Sequence, residues 1–393
     1  MHFSLDIEFT VVILLCAALL LALAAFMYAA VQTRRLVRTR RFCDLADMEE
    51  GTAFEPVTVV IYSQDEAEAL EALLVSVLSQ DYPAPVEVVV VNEGDSSEIR
   101  DLVTRLQITY PNLYLTFTPD GAHSLSRKKL ALTLGIKAAR YDTVVHTAVG
   151  ARIRSDKWLR SMMRHFARGG EVEVVIGYAA ALPDDDTASG ARCRAFDATM
   201  DAARWFGAAV AGQPFRASEY NVAYRREAFF RNKGFSRSLN LHFGDDDIFI
   251  SEIAHEGNTS VELSDNSIVG VLSPDYSQAA RQASLRRVFT EGHIGRRPRV
   301  WRTVAAACVP LSLAALVAAV CLDAGNAFVI ALAVGILALL AGSITVTWRS
   351  AMRALNLRVL GAAIFPLALT YIWRRAVLRT RARFGHHKRY TWD

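Results

Sequence analysis

From Phe9 to Val31 the chain reads FTVVILLCAALLLALAAFMYAAV without a charge, longer than the roughly 20 apolar residues that a bilayer-spanning helix needs. This run limits the fold more than any other feature, because backbone inside hydrocarbon must satisfy its own hydrogen bonds and is therefore helical. A cleaved signal peptide would have a basic leader and a shorter core of about 7–15 residues. Here the leader holds Asp6 and Glu8 and neither lysine nor arginine, so the run is read as an anchor. Arg34, Arg35, Arg38, Arg40 and Arg41 follow it, which places the remainder on the cytoplasmic side. Two further spans are expected at Thr303–Leu322 and Ala327–Val346, with Arg296, Arg297, Arg299 and Arg302 before the pair and Arg349 and Arg353 after it. Val359–Trp373 is short, contains Pro366 and is bracketed by Arg358, Arg374 and Arg375, a pattern that favours a helix lying in the interface. The basic tail beyond reads equally as a lipid-facing strip and as a solvated segment.

These segments absorb the apolar excess of a chain that is 52% hydrophobic. The net charge is only +4, from 44 Lys+Arg against 40 Asp+Glu, and the basic residues cluster beside apolar runs, so nucleic acid is not an expected partner. The five cysteines show neither CxxC nor Cys/His spacing, which implies no zinc site and no disulfide framework. The expected organisation is an anchor over 1–32, a basic linker over 33–55, an α/β domain over 56–275, a basic amphipathic linker over 276–302, a membrane hairpin over 303–347, and an interfacial helix with basic tail over 348–393.

The central region alternates β-branched runs with helical periodicity. Val57–Tyr62 precedes a helical pattern at Ala67–Leu78, whose Leu70, Leu73, Leu74 and Val77 share one face. The unit recurs as Val86–Val91 and Ser97–Leu106, Leu113–Thr118 and Leu125–Ala139, Thr143–Thr147 and Asp156–Phe166, and then the strand Val172–Tyr178. This predicts a doubly wound, mostly parallel sheet, with ligands at the carboxyl ends of its strands. Those ends carry Ser63–Glu66, Asn92–Ser97, Pro119-Asp120 and His146–Gly150. Asp65, Glu66, Asp95 and Ser96 serve equally as ligand acceptors and as helix caps. Ser126-Arg-Lys-Lys129 opens a helix, where Lys128 and Lys129 would meet a phosphate that helix amides already favour, or form a solvated basic turn. Gly244-Asp-Asp-Asp247 precedes another helical run, and three successive carboxylates exceed what one cap needs. Their repulsion implies a cation, an ammonium partner or a raised pKa.

The segments PVTVVIYSQDEAEALEALLVSVLSQDYP, VEVVVVNEGDSS, SRKKLALTLGIKAAR, NVAYRREAFF and FGDDDIFISEIA together resemble family 2 glycosyltransferases of the GT-A fold, in a membrane-anchored bacterial branch. The resemblance spans about Pro56 to Pro274. It implies inverting transfer of a sugar from a UDP- or GDP-sugar to a lipid or glycan acceptor by direct displacement, usually with Mg²⁺ or Mn²⁺. By position, Asp65 and Glu66 match the first nucleotide motif and Asn92 and Glu93 the acids that hold base and ribose. Lys129, with Lys128 beside it, matches the lysine near the diphosphate, and Asn221 the last residue of a Gly-x-Gly-Arg-Asn pattern. Asp245 and Asp246 match a carboxylate pair whose second member resembles the catalytic base. Asp247 is then a helix cap, a support for Asp246, or a metal ligand.

The departures are as informative. Where the family carries Asp-x-Asp for metal and diphosphate, this chain has Thr147-Ala148-Val149. The Gly-x-Gly-Arg-Asn pattern reads Ala217-Ser-Glu-Tyr-Asn221, and a Gln-x-x-Arg-Trp motif is blurred into Gln282-Ala-Ser-Leu-Arg286-Arg287. Losing two carboxylates weakens a site for hard cations. Two readings follow: a working transferase in which Lys128, Lys129 or arginines replace the metal's charge, or a silent module that regulates or scaffolds a membrane glycan complex beside a partner glycosyltransferase. A polymer-secreting synthase is weaker, since three spans make no obvious conduit. The segment Ala179–Arg194, with Asp184–Asp186 and Gly190, reads equally as an ordered acceptor loop and as a mobile one.

Overall fold

The structure is a computed structural model, which describes residues 8–46, 53–94, 96–118, 126–167, 171–181, 190–271, 276–294, 297–357 and 359–384. Helix α1 (Phe9–Ala46) continues well past Val31. No glycine or proline lies between residues 9 and 46, so the expected basic linker begins as more helix. Strand and helix then alternate as β1 (Val57–Ser63), α2 (Ala67–Leu78), β2 (Val86–Asn92), α3 (Ser97–Gln107), β3 (Leu113–Phe117), α4 (Arg127–Ala138), β4 (Thr143–Ala148), β5 (Ala151–Ile153), α5 (Trp158–Ala167), β6 (Val174–Gly177) and β7 (Ala179–Ala181). They are followed by α6 (Ala191–Val210), β8 (Val222–Arg225), α7 (Arg226–Arg231), α8 (Ile248–Ile253), β9 (Thr259–Glu262), β10 (Val269–Val271) and α9 (Tyr276–Thr290). The chain ends in α10 (Arg297–Leu322), α11 (Ala327–Ala354) and α12 (Ile364–Phe384).

Seven strands form one sheet in the order β3-β2-β1-β4-β8-β6-β9. Neighbours are parallel except at β8, which runs antiparallel to both β4 and β6. The doubly wound, mostly parallel sheet expected from the sequence is therefore present. Every residue of β1 and β4 is buried, as expected of strands rich in β-branched residues and covered on both faces. On α2 the buried residues are Leu70, Leu73, Leu74 and Val77, each contributing about 1.5–3 kcal/mol as an upper estimate. A second sheet, β5-β10-β7, has three short strands.

The chain divides into two compact units. One gathers residues within 38–191, 208–294 and 378–393 and contains both sheets. The other gathers residues within 1–37, 192–207 and 295–377. In it Phe196 packs with Leu340, Ile344, Met352, Ile364 and Tyr371, while Arg374 and Arg375 pair with Asp197 and Asp201. Most of α6 thus leaves the α/β domain to which the sequence assigned it, drawn by an aromatic and two carboxylates on a single face.

The expected acceptor loop is strand at its start and helix at its end, and Asp184–Asp186 lie outside the described residues. So do Pro119-Asp120, Asp95 and the tail after Phe384. The helix expected over Val359–Trp373 starts at Ile364, with Pro366 in a first turn that tolerates it. Helices α1 and α11 are long and apolar enough to cross a membrane, whereas Ala307–Leu322 is a shorter apolar stretch. Arg40, one of the arginines that follow the anchor, pairs with Asp44 at 2.8 Å and Asp265 at 2.5 Å.

Candidate functional site

A polar cavity of about 290 Å³ opens at the carboxyl ends of β1, β2 and β4, where a sheet of this kind leaves its crevice. Tyr62 at the end of β1, Gln64 and Glu66 in the turn after it, Glu93 after β2, and Ala148 and Val149 at β4 form one side. Ser126, Arg127 and Lys128 come from the start of α4, whose first-turn amides have no partner within the helix. Glu219, Tyr220, His242, Phe243, Asp245 and Arg286 complete the lining.

Two charge networks line this space. In the first, the Lys128 ammonium contacts the carboxylates of both Glu219 and Asp245, the latter at 2.5 Å. Arg286 on α9 reaches the other oxygen of Glu219 at 2.7 Å and lies over the ring of Phe243. Burial works against the charged forms of Glu219 and Asp245, but Lys128 and Arg286 outweigh it and hold both carboxyls well below their usual range. Lys128 in turn is raised by Asp245 and Glu219 against the opposing effect of burial, and lies 5.5 Å from the centre of the Tyr62 ring. In the second network Glu93 accepts from Tyr62 and from Gln64 Nε2 at 3.1 Å, with Arg127 at 3.6 Å. Burial raises the Glu66 carboxyl.

The Asp245–Asp247 run is set by its glycine. Gly244 has φ +110°, a region open mainly to glycine, and a Cβ there would stand 2.5 Å from Ile248 Cδ1. Asp247 caps α8, accepting from the Ile248 amide, and also binds Arg216 at 3.1 Å and the Thr290 hydroxyl. A carboxylate so engaged is poorly placed to ligate a metal. Burial, then Asp247, Asp245 and Glu219, push the Asp246 carboxyl up to about 8. The repulsion expected of three adjacent carboxylates is thus met by an ammonium on Asp245, a cap and an arginine on Asp247, and a raised pKa at Asp246.

Other expected residues serve elsewhere. Lys129 does not line the cavity: it is fully buried, and its ammonium donates to the carbonyls of Ser238, Leu241 and Phe243. Burial lowers it to about 8. It brackets the loop that leads into Gly244. Asn92 and Asp65 bind each other, Asn92 Nδ2 donating at 2.6 Å and the Asp65 amide donating back at 3.2 Å. Asn221 is buried, donating to Tyr178 O and Ser267 O and accepting from Trp158 Nε1. Glu219 and Arg286 were not anticipated as partners. Their signal was present, a lone carboxylate before a buried strand and an arginine in a blurred motif, but nothing local joins residues 67 apart.

At the Asp-x-Asp position Thr147 is buried and donates to Tyr220 O at 3.0 Å, while Val149, at the cavity lining, packs an apolar side chain against the core. A hard cation takes oxygen ligands, and of the carboxylates that line the cavity with Val149, Glu219 and Asp245 already hold Lys128 between them while Glu93 accepts from Tyr62 and Gln64. The described residues as arranged therefore do not fit a divalent ion here. Among them only Cys43, His165 and Glu262 bring three ligand atoms together. That cluster has the Arg164 guanidinium 2.5 Å from Glu262 and a thiol that burial pushes up to about 12, and neither favours a metal.

A model of glycosyl transferase family 21 matches residues 17–384. A search of curated proteins finds no match. Among solved structures, the chain is similar to a mannosyltransferase from Pyrobaculum calidifontis in complex with GDP-Man and Mn²⁺, with 20% identity over 90% of this chain and 99% of that chain and a TM-score of 0.48. It is also similar to glucosyl-3-phosphoglycerate synthase from Mycobacterium tuberculosis in complex with Mn²⁺, UDP and glucosyl-3-phosphoglycerate, with 14% identity over 64% and 84% and a TM-score of 0.40. A third is mannosyl-3-phosphoglycerate synthase from Rubrobacter xylanophilus, with 14% identity over 66% and 80% and a TM-score of 0.38.

Proposed function

The chain belongs to glycosyl transferase family 21, and from that premise we propose that it transfers a sugar, with inversion, from a UDP- or GDP-sugar to a lipid or glycan acceptor at the cytoplasmic face of a bacterial membrane. One observation carries this reading. A polar cavity at the strand ends joins a helix N-terminus, Arg127, Lys128 and Arg286 to the Asp245-Asp246 pair, of which Asp245 lines the cavity and Asp246 is the next residue in the chain. The first set suits a diphosphate and the second suits a base.

In the proposed step an acceptor hydroxyl oxygen forms a bond to the anomeric carbon as the bond from that carbon to the diphosphate oxygen breaks. The hydroxyl proton passes to Asp246, and the departing electron pair stays on the diphosphate, held by the cationic side of the cavity. Gln64, Glu66 and Glu93 lie where base and ribose would sit. Asp65 and Asn92 shape the turns around them, Asn221 ties Tyr178, Ser267 and Trp158 together, and Lys129 positions the loop before Asp245. Helices α1 and α11, with the arginines after residue 31, support a membrane location.

The second reading, a silent module of the same fold beside a partner glycosyltransferase, is favoured by Thr147 and Val149. Release of UDP or GDP from sugar donors by detergent-purified protein, with membrane lipid extracts as acceptor, separates the two. Turnover that Asp246→Asn abolishes, with nucleotide binding kept, supports the transferase. Turnover at the parent rate in that variant would overturn the base assignment.

A further inference from the structure

Resting on the transferase reading, we infer that donor binding is independent of divalent metal because Lys128 is a built-in cation at the diphosphate. The two carboxylates that converge beside the Thr147–Val149 wall, Glu219 and Asp245, converge on the Lys128 ammonium. Its side chain is 14% exposed, and its ammonium lies 5.5 Å from the Tyr62 ring centre. A divalent ion would have to expel this ammonium from both partners, and no carboxylate at 147 or 149 would compensate for the exchange.

The geometry also supplies what the ion would have done. An ammonium has three N–H donors. One is donated to Glu219 and the charge pairs with Asp245 at 2.5 Å, so donor capacity remains for a diphosphate oxygen. Arg286 is held by Glu219 at 2.7 Å, and Arg127 and the start of α4, with its first-turn amides unpaired within the helix, line the same cavity. The acids therefore act as holders of cations. His146, buried on β4, is kept neutral by burial and by Lys128 and lowered to about 4, so it adds no competing charge.

Calorimetric titration of the detergent-purified full-length chain with UDP and with GDP, in EDTA and in Mn²⁺, tests this, together with titration of Mn²⁺ alone read by electron paramagnetic resonance. Nucleotide affinity equal within about threefold in the two buffers, and no saturable Mn²⁺ site, are expected. In Lys128→Met, nucleotide affinity in EDTA should fall at least about tenfold, and a saturable Mn²⁺ signal should appear as Glu219 and Asp245 lose their cation. The wild-type comparison stands even if that variant melts early. A tenfold loss of nucleotide affinity in EDTA, or a stoichiometric Mn²⁺ site in the wild type, overturns the inference and leaves the transferase reading intact. Absence of nucleotide binding in both buffers overturns both.

Discussion

Replacing Lys129 by methionine distinguishes a lysine that touches the donor from one that holds a loop. Methionine keeps the length and volume, so the change removes little more than the ammonium and its bonds to Ser238 O, Leu241 O and Phe243 O, at 2.5, 3.1 and 2.9 Å. Each carbonyl left without its partner costs about 1–3 kcal/mol. Against this, burial lowers Lys129 from 10.5 to about 8, roughly 3 kcal/mol of unfavourable charge burial that the variant recovers. The net loss is about 3 kcal/mol, and at about 2–4 °C per kcal/mol for a domain of this size the melting temperature should fall by about 6–12 °C. The pH dependence gives an independent check. Below pH 8 both folded and unfolded chains hold the proton, and between about 8 and 10.5 only the unfolded chain does. Lys129 therefore makes the parent more stable as pH rises through that window, and the methionine variant should lack this increment. Thermal melts at pH 7.5 and 9.5, with UDP and GDP titrations of the same samples, measure both effects. A variant that melts within about 2 °C of the parent while losing tenfold in nucleotide affinity would refute the bracket and return Lys129 to the diphosphate.

Asp246→Asn is expected to reduce transfer by about 10²- to 10⁴-fold, the usual general-base contribution. Because the carboxyl acts as a base only when ionised, and is pushed up to about 8, the transfer rate should rise with pH through an inflection near 8 and level off above it; an inflection below pH 6 would count against it. Gly135→Ala should destabilise the chain by about 1–3 kcal/mol, since the new methyl would lie 2.5 Å from Val91 Cγ2 and 2.8 Å from Val60 Cγ1, on two stiff side chains between α4 and the sheet; an unchanged melting temperature would show that α4 can lift away. Glu262→Gln leaves Arg164 and His165 without their carboxylate, a loss of about 3–5 kcal/mol for a buried pair. Burial opposes its charge, but His165 and Arg164 outweigh burial and hold Glu262 at about 2 against an ordinary 4.5. Its contribution is complete above pH 4.5 and lost as pH falls toward 2, so the difference in melting temperature between variant and parent should narrow from pH 7 to pH 3.

The parallel half of the sheet was legible because its signals are local. Val57–Tyr62 and Val86–Val91 are β-branched runs, and Leu70, Leu73, Leu74 and Val77 repeat at helical spacing. The expected boundaries of α2 coincide with those observed, and those of β1 and β2 fall one residue short. Strand β8 was harder to read: the four residues of Val222–Arg225 carry no sign that they will run antiparallel between β4 and β6. The charge networks were hidden for a similar reason. Lys128 and Glu219 lie 91 positions apart, and pairing at that distance is decided by the closed sheet. Lys129 and Asn221 were noticed as polar residues in the right places, but a sequence does not show whether a buried polar atom faces a ligand or a backbone carbonyl.

The position of β8 also bears on how the chain reaches its native state. Strands β1 to β4 are contiguous in sequence and form one end of the sheet, β3-β2-β1-β4, with β4 as its temporary border. The partner for that border, Val222–Arg225, leaves the ribosome long after Ala148. At about 5–20 residues per second the nascent chain carries an unpaired β4 edge for roughly 4 to 15 seconds. An edge made of Thr143-Val-Val-His-Thr-Ala148, with no charge or proline to discourage a foreign strand, is the kind that recruits one. Synthesis slowed between residues 148 and 222 should therefore lower the yield of folded protein, and a chaperone that shields strand edges should restore it.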